Sequence, residues 1–291
     1  MSACHFKIVR PLFYLTVKYI KIETQKIIIY QIHKKTMSKI IFMIHGMMVG
    51  PWCWDNYKNY FKRKGYNCIS PALKFHDMDP DDFPDPQLGT TSLLDYAADL
   101  EKQIKEFEEP PILMGHSMGG LLVQILVSRG YAKAAILLTP APPSGINTLN
   151  FTVLRSFSTT MISWKFWKKP FRFSFNKAVY STMHLMPIEE QKRVYSKLVY
   201  ESGYAAYQIG FWFLDRTNAS KVDHDKVNCP LLIISGKKDR ITPASVVEKI
   251  AQKYKSSSYK QFDDHAHWVL IEPKWQDVAE YILDWLKVNS F

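Results

Sequence analysis

Strand-like and helix-like segments alternate along this chain from Lys39 to its last residues, and nothing else in the sequence restricts the fold as strongly. Lys39–Ile44, Tyr66–Ser70, the run ending at Met114, Ala134–Leu138, Leu231–Ser235 and Tyr259–Phe262 are short runs bounded by turn residues, as strands require. Between them, Trp54–Lys64, Leu93–Glu108, the segment after Ser117, Val246–Tyr254 and Trp275–Val288 read as helices. In Leu93–Glu108 the residues Leu93, Leu94, Ala97, Leu100, Ile104 and Phe107 share one face, with Thr91 or Ser92 placed to cap it. Strands alternating with helices imply the α/β class: a mostly parallel central sheet flanked by helices on both faces.

The rhythm stops once. From Pro140-Ala-Pro-Pro143 to Cys229-Pro230 the sequence is rich in aromatics, including Trp164-Lys-Phe-Trp-Lys-Lys169 and Phe171-Arg-Phe-Ser-Phe175, and shows no clear buried strand. Residues 141–228 are therefore expected to form a helical cap over one edge of the sheet. The core is then residues 39–140 and 229–291.

The net charge of +11 points at first to nucleic acid, but its placement argues against that partner. Lys7, Arg10, Lys18, Lys21, Lys26, Lys34, Lys35 and Lys39 stand against Glu23 alone, so the leader and not the body makes the chain basic. Residues 1–38 are read as a basic N-terminal extension, either surface-seeking or lying upstream of a natural start at Met37. No convincing signal peptide or membrane-length apolar run is found, and Cys4, Cys53, Cys68 and Cys229 imply no disulfide framework. The expected compartment is cytoplasmic.

Ile112-Leu-Met-Gly-His-Ser-Met-Gly-Gly-Leu-Leu-Val123 sets one serine between glycines where a strand gives way to a helix. A G-x-S-x-G pattern arises by chance in about one chain in ten of this length, so the pentapeptide alone says little. Its setting says more. A sharp strand-to-helix turn presents its serine at the carboxyl edge of the sheet, beside free N–H groups that favour developing negative charge. The alternative is a serine that merely caps the helix.

A serine hydroxyl needs a base to take its proton and a carboxylate to orient that base. In open α/β sheets such groups gather at the carboxyl ends of strands. Asp239 follows Leu231–Ser235, and the loop after Tyr259–Phe262, Asp263-Asp-His-Ala-His-Trp-Val269, offers His265 and His267. Asp263 is a second candidate for the orienting carboxylate. His265 and His267 also suggest a metal pair, but without a third ligand at metal spacing they make a poor zinc site, so neither metal nor cofactor is expected.

His45-Gly46 with Gly50-Pro-Trp-Cys-Trp54, Gly115-His-Ser-Met-Gly119, Gly236–Asp239 and His267-Trp268 together resemble the α/β-hydrolase superfamily. The opening motif is similar to the compact branch of plant methyl esterases and hydroxynitrile lyases. The resemblance runs from about Lys39 to Val288 and leaves the leader outside. It favours His267 over His265, because family members commonly place a bulky residue such as Trp268 directly after the catalytic histidine, and completes a triad of Ser117, Asp239 and His267. It also implies an oxyanion hole from the backbone N–H groups of Met47 and Met118, with Met48 replacing Met47 if the loop turns one residue later. Serine at 117 departs from the aspartate of dehalogenases and epoxide hydrolases. Residues 261–266 lack the lysine that hydroxynitrile lyases carry close before the histidine.

The expected activity is cleavage of a carboxylic ester, esterase- or lipase-like, with an apolar acyl or alcohol group and an acyl-enzyme intermediate. The partner is a small-molecule ester or lipid, not nucleic acid. His45, Trp164, Phe211 and Trp212 are expected to line the substrate pocket, and the leader or the cap offers a peripheral membrane contact. Two other readings stay open: a receptor-like α/β-hydrolase with little turnover, and an acyltransferase.

Overall fold

The computed structural model describes residues 39–147 and 151–291, so the expectations for the leader, residues 1–38, lie outside the described residues. Its strands are β1 (Ile40–Ile44), β2 (Asn67–Ile69), β3 (Ile112–His116), β4 (Ala134–Leu138), β5 (Pro170–Phe171), β6 (Glu201–Ser202), β7 (Leu231–Gly236) and β8 (Ser257–Phe262). Six of them form one sheet in the order β2-β1-β3-β4-β7-β8, every pair parallel. From β1 the chain steps outward to β2, then crosses back to β3 on the other side. The strand order therefore reverses between β1 and β3, the place where open parallel sheets leave a crevice.

Helices α1 (Asp55–Arg63), α2 (Leu93–Ile104) and α3 (Met118–Ser128) connect the first four strands. Period-two alternation divides each central strand between two cores. Ile41, Met43, Met114, Ile136 and Ile234 point to the side holding Tyr57 and Phe61 of α1. Phe42, Ile44, Leu113, Leu137 and Ile233 meet Leu100 of α2 and Leu122 of α3. Both faces are covered, which is why these strands are apolar throughout. Helix α2 begins at a capping box, with Ser92 Oγ accepting from the Asp95 N–H (3.0 Å) and Asp95 accepting from the Ser92 N–H (2.8 Å). It ends at Ile104 rather than at Glu108 as expected; Glu106, Glu108 and Glu109 would oppose the negative end of a longer helix.

Between β4 and β7 come α4 (Phe151–Ile162), α5 (Phe175–Ala178), α6 (Ile188–Tyr195) and α7 (Gly203–Gly210). This insertion is mainly helical, but β5 and β6 pair antiparallel within it, an element absent from the sequence reading because two-residue strands carry no period. Helices α8 (Ala244–Ala251) and α9 (Trp275–Val288) complete the chain on opposite faces of the sheet.

Candidate active site

Ser117 stands at the turn from β3 into α3 with φ 54° and ψ −121°, a conformation that costs a non-glycine residue about 1–3 kcal/mol. Neighbouring contacts hold it there. Its N–H donates to Leu138 O (3.0 Å) at the end of β4, and its carbonyl accepts from Ala141 N (2.9 Å) and Gly120 N (2.9 Å). The flanking glycines are sterically required: a Cβ on Gly115 would sit 2.3 Å from Gly119 O, and one on Gly119 would sit 2.1 Å from Ile44 O. Helix, strand and turn thus meet at backbone distance.

The loops after β7 and β8 bring Asp239 and His267 together. His267 Nδ1 donates to Asp239 Oδ2 over 2.8 Å, and both residues are buried. Asp239 also accepts from the N–H groups of Ile241 (2.8 Å) and Thr242 (2.9 Å) and from the Thr242 hydroxyl (2.8 Å). Burial alone would favour the neutral acid, but the imidazole and these donors outweigh it and hold the carboxyl below its ordinary range. Asp263, the other carboxylate considered, is exposed beside Lys237, and the ring of His265 lies against Phe262. No three His, Cys, Asp or Glu side chains gather as a metal site among the described residues.

The backbone around His267 is held as firmly as its ring. His116 Nε2 and Thr139 Oγ1 donate to its carbonyl (2.8 and 3.1 Å). Glu272 accepts the N–H groups of the residues on either side, Ala266 (2.7 Å) and Trp268 (3.0 Å). Burial pushes the Glu272 carboxyl up to about 7, although both N–H donors oppose the shift. A carboxyl raised in the folded state contributes stability that is complete below its ordinary value of 4.5 and lost as the pH rises through about 7. The full loss is roughly 3 kcal/mol. The neutral isostere Glu272→Gln should remove this component. Denaturant titrations at pH 5 and pH 8 should therefore show the wild type losing more stability between the two than the variant; equal losses would contradict the assignment.

The loop after β1 faces the same turn. His45 is enclosed: its Nε2 accepts the Leu73 N–H (3.0 Å) and its Nδ1 faces the Gly46 carbonyl (2.9 Å). Burial, with the neighbouring His76, lowers its pKa to about 3, so it stays neutral and pins the loop. The Met48 N–H donates to Glu201 Oε2 (3.2 Å), so it is already engaged, while Met47 lines both clefts beside Ser117. Met118 opens α3, where its N–H has no intrahelical acceptor.

Glu201 is fully buried and accepts four hydrogen bonds: from Met48 N, from His76 Nε2 (3.0 Å), from the Tyr96 hydroxyl (2.9 Å) and from Ser202 N (2.7 Å). Burial alone would lower the His76 pKa, but the Glu201 carboxylate more than reverses this and raises it. None of this network was expected from the sequence; Glu201 lies in β6, far along the chain from the loop it holds. Glu272 and Thr242 were missed as well, although each sits close in sequence to a residue it supports.

Two clefts meet at Ser117, separated by Met47, Phe157 and Ile241. The smaller, about 500 Å³, reaches His267, Trp268 and Thr182. The larger, about 1030 Å³ and open to solvent, reaches Met118 and runs under the insertion past Val153, Met161 and Phe211. Ser117 and His267 therefore share the smaller cleft, though no hydrogen bond joins the hydroxyl to the imidazole among the described residues. Such bonds are often long before substrate binds. Of the four residues expected to line a substrate pocket, Phe211 lies on the larger cleft. His45 is sealed behind its loop, Trp164 projects outward with 76% of its surface exposed, and Trp212 turns its ring edge-on to Phe213. Aromatic content marked the insertion but not the direction each ring faces.

The profile of the Alpha/beta hydrolase family matches residues 41–280. Methylesterase 8 of Arabidopsis thaliana is 25% identical over 132 residues, 44% of this chain and 47% of that protein, so the match spans about half of its length. Among solved structures, the Arabidopsis methylesterase MES16 superposes with a TM-score of 0.65 at 16% identity, covering 86% of this chain and 99% of that one. The Paleococcus ferrophilus monoacylglycerol lipase gives 0.64 at 19%, covering 86% and 95%. At such identities these two structures are similar in fold.

Proposed function

The chain belongs to the alpha/beta hydrolase family, and from that premise we propose that it is a serine hydrolase cleaving a carboxylic ester with an apolar acyl or alcohol group. The observation that carries the reading is the buried Asp239–His267 pair, 2.8 Å apart, whose histidine lines the same cleft as the strained Ser117 turn. In this mechanism Ser117 Oγ bonds to the carbonyl carbon while His267 Nε2 takes the hydroxyl proton. Asp239 keeps Nδ1 hydrogen-bonded, which holds the tautomer and stabilises the imidazolium. The Met47 and Met118 N–H groups receive the charge on the carbonyl oxygen, each such donor typically contributing about 10²–10³ in rate. His267 then protonates the leaving alcohol as the C–O bond breaks, and water repeats the sequence on the acyl-enzyme to release the acid. No step calls for a metal or cofactor.

The leaving alcohol must meet His267, which assigns it to the smaller cleft. The acyl chain then occupies the larger, apolar cleft beside Met118, with residues 141–228 acting as its cap. A fluorophosphonate probe should label Ser117 stoichiometrically, and hydrolysis of p-nitrophenyl esters should disappear in Ser117→Ala; equal turnover by both proteins would refute the mechanism. The missing hydrogen bond between Ser117 and His267 favours one other reading, a receptor-like hydrolase that binds its ligand with little turnover. Labelling without turnover at any acyl chain length would assign it. Formation of a new ester with an added alcohol would assign acyl transfer instead.

A further inference from the structure

Helix α4 has apolar residues on both sides. Its inner face, with Val153, Phe157 and Met161, lines the larger cleft. Its outer face and the turn that follows leave Phe151 (75% exposed), Leu154 (44%), Ile162 (82%) and Trp164 (76%) in solvent. Scattered exposed apolar residues need no explanation, but four large ones on a single helix and its following turn do. Exposed basic residues flank them along the chain: Arg155, whose guanidinium also lies over the Tyr180 ring, Lys165, Lys168 and Lys169. From Pro110 to Ile188 the chain contains no Asp or Glu; carboxylates approach from another segment, the acidic loop ending at Asp85, which leads into the turn whose Gly89 packs against Lys168 and Lys169. Leu154 belongs to both surfaces, being exposed and lining the cleft, so the cleft opens toward this patch.

We propose that the outer face of α4 and the turn through Lys169 dock on an anionic lipid surface. The apolar side chains enter the headgroup boundary while the lysines and Arg155 meet lipid phosphates, the arrangement of an interfacial helix. Positive charge commits the surface to anionic lipid. The shared Leu154 gives docking a purpose, since an apolar ester passes from lipid into the cleft without crossing water. Among the described residues no helix is long and apolar enough to cross a membrane, and the contact proposed is peripheral.

The test is flotation of the full chain with vesicles of phosphatidylcholine alone or with added phosphatidylglycerol. Binding is expected to the anionic vesicles only and to weaken with salt. The double variant Ile162→Asp, Lys168→Glu touches neither cleft; its bound fraction should fall about tenfold or more, with hydrolysis of a short soluble ester unchanged. Wild-type protein that floats with neither vesicle, as a face for an acidic protein partner would, overturns the proposal. So does a double variant that binds like wild type, which would assign binding to residues 1–38. Flotation reads binding without catalysis, so failure here is separable from failure of the hydrolase mechanism.

Discussion

Replacing Ser117 with alanine is expected to lower ester turnover by about 10⁴- to 10⁶-fold while leaving folded stability unchanged. The loss follows from removing the atom that forms the acyl-enzyme; only binding and the oxyanion donors then act on the substrate. Unchanged stability follows from the structure. The hydroxyl has no hydrogen-bond partner among the described residues, so its removal strands no buried polar atom. Alanine also bears the φ of 54° as serine does. Steady-state hydrolysis and thermal denaturation of the same preparations check both halves. A variant that retained turnover would remove Ser117 from the mechanism, and one that lost turnover together with its melting transition would indicate a damaged fold.

Glu201→Leu should produce the second large effect, a destabilisation of about 3–5 kcal/mol, because it leaves the donors of Met48, His76, Tyr96 and Ser202 without their buried acceptor. Activity should fall beyond what instability explains. Met48 is the neighbour of Met47, and freeing its N–H loosens the loop that presents the proposed oxyanion donor, which lowers kcat more than it changes KM. The pH dependence carries its own sign. A histidine whose pKa is raised by folding contributes stability that is complete below its ordinary value of 6.5 and lost as the pH rises through the folded value. Wild-type protein should therefore lose stability above about pH 6.5 through His76. Glu201→Leu should lack that decline. Denaturant midpoints across this range, with kcat and KM at the optimum, measure both; a variant with wild-type kcat would show that Glu201 does not position the loop.

The contrast between Glu201 and Asp239 explains what could be read in advance. Asp239 follows a recognisable apolar strand, and a residue at a strand's carboxyl end points to the crevice whatever else the fold contains. Glu201 follows nothing periodic; it sits in a two-residue strand inside the insertion and matters only because His76, Tyr96 and the β1 loop converge on it. His265 and His267 illustrate the same limit within five residues of chain. Both are buried; the family resemblance favoured His267 through Trp268, and in the structure it is His267 that meets Asp239.

By itself, the sequence determined the alternation of strands and helices and the glycine-flanked serine turn. It also placed Ser117, Asp239 and the histidine pair at the ends of three strands. All of these depend on local backbone preference and on the two- and 3.6-residue periods of burial. Only the tertiary structure decided that Met48 is tied to a carboxylate 153 residues away, that Phe211 and not Trp164 lines the cleft, and that Glu272 braces both sides of His267. Those outcomes depend on which distant side chains meet in a close-packed interior, and no pattern along a single stretch of chain encodes such a meeting.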